Sequence, residues 1–337
     1  MKTLRLLILI LIVTFSSCKK ENVFDTDGTT YENNSEPRGI MQLGNQLQNP
    51  YSVESMTRAY DHLKDSLGSS FPTMSIELTH YYVKFSPNSE LELEELKSDT
   101  TLELFDFPLD YEVLEDGLYY HDPSLPDSAI TYQYAVVPAN YTFPNIQNEI
   151  LADLYIPELM EGLNDNAVEL LVDISLRLTG NEPESVYKED GSKATSWTPS
   201  GTIQVYDNVD DVNGNGLIPL EGVKVRARRW FIVKVGHTNA QGQFTTGSFK
   251  RKVNYSIKWE RKHYDIRIGW WYQSYFNGPK SSSAWNLTIT SDISLRLATI
   301  HRAAYRYHYK NIGGLKRPNV WGKIKYAYMD KDKDFNG

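Results

Sequence analysis

Cysteine is nearly absent: the chain has one in 337 residues, Cys18. That excludes an internal disulfide framework and, once Cys18 is modified, a cysteine nucleophile. The sequence also has no Gly-x-Ser-x-Gly elbow, no phosphate loop, no Gly-x-Gly-x-x-Gly and no His-Glu-x-x-His. The local signatures of serine hydrolases, nucleotide binders and zinc peptidases are therefore missing from these residues. Its longest apolar run, Leu6 to Phe15, falls short of the roughly 20 residues that cross a bilayer.

That short run has a purpose of its own. Lys2 and Arg5 precede it, and Ser16, Ser17 and Cys18 follow. A basic start, an apolar middle and small residues before a cut describe a secretory signal over residues 1–17. Phe15-Ser-Ser-Cys18 resembles a bacterial lipobox, with Phe15 where leucine is commoner and Ser17 where glycine or alanine is commoner. The Ser-Ser-Cys-Lys-Lys start is similar to those of Bacteroidota-type lipoproteins. The resemblance implies acylation of Cys18. With Lys19 next, it implies a lipid anchor in the outer membrane, on the cell surface or the periplasmic face. An ordinary signal peptide with an incidental cysteine is the alternative. Residues 18–48 are polar, lack apolar periodicity and read as a flexible tether behind the lipid.

Residues 49–185 read as an acidic α+β domain. Ser52 is a natural N-cap for a helix with Val53, Met56, Ala59, Tyr60 and Leu63 at helical spacing, stopped by Gly68. Leu78–Phe85 alternates as a strand, Glu90–Lys97 fits a short helix, and Thr101–Phe105 is expected to be a second strand. Leu151–Leu163 and Ala167–Leu178 are expected to be two helices, the second ended by Gly180. Phe105-Asp-Phe-Pro-Leu-Asp-Tyr111 resembles a recurring feature of an uncharacterised family of Bacteroidota-type lipoproteins and carries no implied activity.

Residues 197–292 read as an antiparallel β-sandwich. Val223, Val225 and Ala227 alternate with Lys224, Arg226 and Arg228, and Val253, Tyr255, Ile257 and Trp259 alternate with Asn254, Ser256 and Lys258. Gly242 is placed for a tight turn. Pro219-Leu-Glu-Gly-Val-Lys-Val225 and Thr238-Asn-Ala-Gln-Gly-Gln-Phe244 resemble the carboxypeptidase regulatory-like, or transthyretin-like, sandwich. That resemblance implies a non-catalytic accessory or binding module; a different seven-stranded sandwich is the alternative. Residues 293–337 read as a helical segment, with Ala298–Lys310 helical and the end resembling a chain cut short. Longer relatives would continue into a zinc-peptidase-like region, which makes the front of an exported hydrolase the alternative function.

Charge separates the two halves. Carboxylates dominate Ser86–Ile130, where Lys97 is the lone lysine or arginine, whereas Glu260 is the lone carboxylate in Lys224–Lys262. This permits docking between the halves or capture of an anionic partner. Lys224, Arg226 and Arg228 are expected on the solvent side of one strand, as a site for an anionic polysaccharide or a surface protein. Export excludes nucleic acid as a partner. Asp211, Asn213 and Asn215 copy the opening of a calcium loop, although Gly222 stands where an EF-hand glutamate belongs and Glu221 is one place early. Asp332, Asp334 and Asn336 repeat that opening. Calcium is thus the one cofactor to consider. Trp230, Trp259, Trp270, Trp271, Tyr272, Tyr275, Phe276 and Trp285 offer either sugar-stacking faces or core. Ile300, Ala303, Ala304 and Tyr307 are expected to form the apolar stripe of the last helix, with His301 and His308 sharing one face as packed side chains.

Overall fold

A computed structural model describes residues 39–181, 196–207, 216–290, 292–316 and 322–329. Among the described residues there are four α-helices, and the first three form where capping and apolar spacing agree. In α1 (Val53–Leu67) the Ser52 hydroxyl accepts from the Ser55 amide at 3.1 Å, Met56, Ala59 and Leu63 are buried, and Gly68 ends the helix at φ 55°. Ser89 caps α2 (Glu90–Ser98) in the same way, and Asn164 caps α3 (Asp165–Leu178) through its side-chain oxygen. Helix α4 spans Asp292–Tyr309, starting six residues before the expected Ala298. Its buried stripe runs through Leu297, Ala298, His301, Ala304 and His308; of the expected stripe Ala304 is buried and Ile300 packs half-buried on the core, whereas Ala303 is exposed.

The first half contributes β1 (Gln42–Gln46), β2 (His80–Phe85), β3 (Tyr111–Glu115), β4 (Gln133–Pro138) and β5 (Asn148–Leu154). Strand β2 lies between β4 and β5, antiparallel to both, and β1 pairs with β3. Both faces of the three-stranded sheet are covered: Tyr82, Tyr134 and Leu154 join the main core, while Val83, Phe85, Ala135 and Val137 pack with Leu96 of α2. Two expectations fail here. Residues 151–154 belong to β5, followed by a single 3₁₀ turn at Pro157–Leu159 rather than a helix to Leu163. Thr101–Phe105 is not a strand; only Phe105 forms an isolated bridge, to Tyr134.

The second half contributes β6 (Ser200–Tyr206), β7 (Leu217–Pro219), β8 (Lys224–Arg229), β9 (Ile232–His237), β10 (Gln243–Thr245), β11 (Val253–Lys258), β12 (Tyr264–Ile268), β13 (Tyr272–Gln273), β14 (Tyr275–Ser281), β15 (Leu287–Ile289) and β16 (Ile324–Tyr328). One antiparallel sheet has the order β14-β11-β8-β9; another has β10-β6-β15 with β7 on β6. Tyr255 of the first meets Phe244 of the second edge-on and Trp285, in the segment before β15, tilted, at 6.1 and 5.4 Å between centroids. Val225, Ala227, Val253, Ile257, Ile203 and Val205 complete that interior, all 0% exposed. Gly201 is required where β6 meets the start of β15, because a Cβ there would lie 1.9 Å from the Trp285 carbonyl oxygen. Gly242 turns at φ 73°, as its place in the sequence predicts. A third sheet, β13-β12-β16, contains a parallel pair, β12 with β16. The fold is therefore mixed α+β with mostly antiparallel sheets, and Pro37–Gly337 forms one compact unit.

Candidate functional site

The alternation in β8 and β11 is real, but the basic face is not in solvent. Arg226 is 0% exposed, and Lys224 and Arg228 are partly buried. The acidic segment from Glu103 to Asp110 covers them. Lys224 pairs with Glu103 at 2.7 Å and Glu260 at 2.8 Å, and Arg226 faces Glu103 at 3.6 Å. The Arg226 guanidinium also lies over the rings of Phe105 (4.3 Å) and Tyr275 (5.1 Å). Arg228 donates to the Leu109 carbonyl at 3.2 Å, and Lys258 to the Leu104 carbonyl at 3.0 Å. The expected solvent-facing site at Lys224, Arg226 and Arg228 is corrected to an internal one, closed by the Phe105–Tyr111 motif. Charge asymmetry joins the two halves of the chain.

The electrostatics follow from that closure. Burial pushes Asp106 up to about 6, against the Tyr275 hydroxyl that donates to it and the nearby cations. Burial pulls Lys258 down to about 8. Burial alone would raise Glu260 as well, but Lys258, Lys224 and Lys323 hold it well below the ordinary carboxylate range. A similar layer ties α2 to β12: Lys97 meets Asp265 at 2.6 Å, and Arg267 meets Glu90 at 2.8 Å. Such layers join packed elements through paired charges.

The histidines of α4 are packed groups. His301 sits between the Tyr264 hydroxyl at 3.1 Å and the Glu221 carbonyl at 2.9 Å, and burial lowers its pKa to about 4. His308 stacks on Tyr264 and on His263, with centroids 5.5 and 6.0 Å apart. Among the described residues no group of three His, Cys, Asp or Glu side chains is arranged to hold a metal ion.

The late aromatics divide between core and surface. Trp259, Tyr275, Phe276 and Trp285 are buried, whereas Trp270 is 64% exposed and Trp271 is half-buried. Trp271 borders an open groove of about 470 Å³. The pairing of β2 builds the rest of it. Opposite Phe85, β4 starts at Gln133 and β5 at Asn148, so the chain entering each strand lies beside the exit of β2. The Ser86 amide donates to the Gln147 carbonyl at 2.7 Å, which locks that edge. Tyr132 and Trp271 give rings to the wall; Asn88, Gln147, Ser86 and Ser89 give amides and hydroxyls. Glu90 is its one charged lining residue, and Arg267 and Lys325 neutralise it. Sequence alone flags Trp271 through the aromatic cluster but not its partners, which lie more than a hundred residues away.

Cys18, Asp211, Asn213, Asn215, Asp332, Asp334 and Asn336 lie outside the described residues, so neither the anchor nor either calcium-like loop is addressed by the structure. Among the described residues no helix is long and apolar enough to cross a membrane. No protein-family model matches the chain, and no curated protein matches it.

Proposed function

We propose that this chain is an exported binding protein, anchored to the outer membrane through lipid on Cys18, that captures a neutral saccharide in the Trp271 groove. The observation that carries the ligand is the groove's composition. Flat rings from Tyr132 and Trp271 stand beside uncharged amides and hydroxyls, and its one carboxylate is already paired. Sugar rings present apolar C–H faces and a rim of hydroxyls. Aromatic faces cover the former, and the polar side chains bind the latter. A polyanion would need uncompensated cations, and the basic strand that sequence offers for one is closed by Glu103. The lipid anchor rests on the run from Lys2 to Cys18 and on Cys18 being the sole cysteine.

We assign the paired sheets around Tyr255 to the transthyretin-like class on the resemblance of Pro219–Val225 and Thr238–Phe244, acting as scaffold. The test is a panel of neutral hexasaccharides differing in linkage, followed by intrinsic tryptophan fluorescence of the full chain. At least one should bind saturably with a change in emission, and Trp271→Ala should weaken it at least tenfold while Trp230→Phe leaves it unchanged. Binding unaffected by Trp271→Ala, or no binding across the panel, overturns the saccharide reading.

A further inference from the structure

Of the described tryptophans only Trp270 is exposed, at 64%, and it is the chain neighbour of Trp271. It does not line the groove that Trp271 borders. Both residues sit in the turn between β12 and β13, where Ile268 pairs with Tyr272. Gly269 starts that turn at φ 64°, and its amide donates to the Tyr328 carbonyl at 2.9 Å. A tryptophan ring left in water forgoes the burial that Trp259 and Trp285 obtain in the core.

The turn is tied to two walls of the groove. Arg267, only 2% exposed, donates through Nη1 to the Trp270 carbonyl at 3.2 Å and to Glu90 at 2.8 Å. Glu90 opens α2 and lines the groove beside Asn88 and Ser89. At the far end of the turn, the Tyr272 hydroxyl donates to the Asp127 carbonyl at 3.0 Å, and its ring stacks on Tyr119 at 4.9 Å. Asp127 leads into Ser128, Ala129 and Ile130, which line the groove as well. One guanidinium and one phenol thus hold the main chain of both tryptophans against both walls. A surface positioned in this way binds with less ordering cost than one that must be assembled around the ligand.

We infer that the site takes an extended chain of neutral sugars, and that Trp270 is a second platform for the units that lie beyond the groove. This rests on the saccharide reading of the Trp271 groove. A short sugar seated on Trp271 and Tyr132 leaves Trp270 in water. A longer chain that leaves the groove past the turn lays the apolar face of its next units on the Trp270 ring and takes both surfaces out of water. Glu90, on the wall joined to this turn, is already paired with Arg267 and Lys325, so that wall presents no uncompensated charge to a ligand. Chain length is therefore what Trp270 selects, while Trp271 is needed at every length.

The experiment titrates the full chain by calorimetry with neutral oligosaccharides of two to eight units, in the linkage that binds tightest among the hexasaccharides. Affinity should rise with length and then level off. Trp270→Ala keeps the main-chain carbonyl that Arg267 holds, so the melting temperature should not change. It should lower hexasaccharide affinity about tenfold, the scale of a buried aromatic contact, and leave disaccharide affinity within twofold. Trp270→Phe keeps a ring and should restore most of the loss, whereas Trp271→Ala should weaken both lengths. Disaccharide and hexasaccharide affinities in the same ratio in the parent and in Trp270→Ala would overturn the second platform and leave the saccharide reading standing. No binding at any length would overturn both.

Discussion

Arg226 and Glu103 provide the most informative perturbation. Arg226 is fully buried, and Glu103 is the carboxylate recorded within 4 Å of it among the described residues, at 3.6 Å. Glu103 also holds Lys224 at 2.7 Å, but Lys224 keeps Glu260 at 2.8 Å if Glu103 is lost. At an effective dielectric of 20 the gross attraction across 3.6 Å is about 5 kcal/mol, most of it offset by desolvation of both groups. Removing one partner of a buried pair costs about 3–5 kcal/mol, chiefly because the other charge stays buried and alone. Glu103 is 21% exposed on its side chain, which lets some water reach the site. Glu103→Ala should therefore cost about 2–4 kcal/mol. Arg226→Met keeps the volume and the contact with Phe105 and Tyr275. It loses the bond from Nε to the Ser256 hydroxyl, at 3.2 Å. It should cost only about 1 kcal/mol. The double variant should be more stable than Glu103→Ala alone, since no unpaired guanidinium remains. Urea unfolding of the four proteins gives the coupling energy, expected to be about 1 kcal/mol or more. Additivity within about 0.5 kcal/mol would refute the closed-layer account and return the strand to solvent.

Three further outcomes follow from the same physics. Cys18→Ser should move the protein from the membrane to the soluble fraction or leave an uncut precursor; normal processing with retained membrane binding would end the lipoprotein reading. Gly201→Ala places a methyl 1.9 Å from the Trp285 carbonyl oxygen. By overpacking it should lose about 3 kcal/mol of stability, visible as a lower urea midpoint; a neutral effect would mean β6 and β15 are not so close. Asp106 is raised from 3.8 to about 6, so the folded state holds its proton more tightly than the unfolded chain. Its contribution to stability is greatest below pH 4 and is lost as pH rises through 6. The stability of the parent relative to Asp106→Asn should then fall by about 1 kcal/mol or more from pH 5 to pH 7.5; a constant difference would contradict the shift.

How much of this was legible in the sequence depends on whether the deciding contact is local. Helices α1 and α3 are legible because cap, apolar stripe and stop agree at Ser52 and Gly68, and at Leu171, Val172 and Gly180. The register of β8 and β11 is legible because Val225, Ala227, Tyr255 and Ile257 all need the same interior. Residues 151–163 mislead because Leu151, Leu154, Tyr155 and Leu159 fall near helical spacing, while pairing of β5 to β2 overrides it. The solvent side of β8 misleads for a different reason. Alternation shows that Lys224, Arg226 and Arg228 share a face, but not that Glu103 and Phe105 cover it. The Trp271 groove needs partners far apart in the chain, such as Gln147 beside Ser86, so it is not written in a local pattern.

The central claim is that the exposed binding surface is neutral and aromatic, and that the basic strand serves the interior. The most direct measurement titrates the full chain with a neutral and an acidic polysaccharide at low and high ionic strength. Attraction between exposed charges weakens as salt screens it, whereas stacking and neutral hydrogen bonds do not. The account predicts saturable binding of the neutral polymer with the same affinity at both salt concentrations, and no tighter binding of the acidic one. Binding confined to the acidic polymer and falling steeply with salt would contradict it.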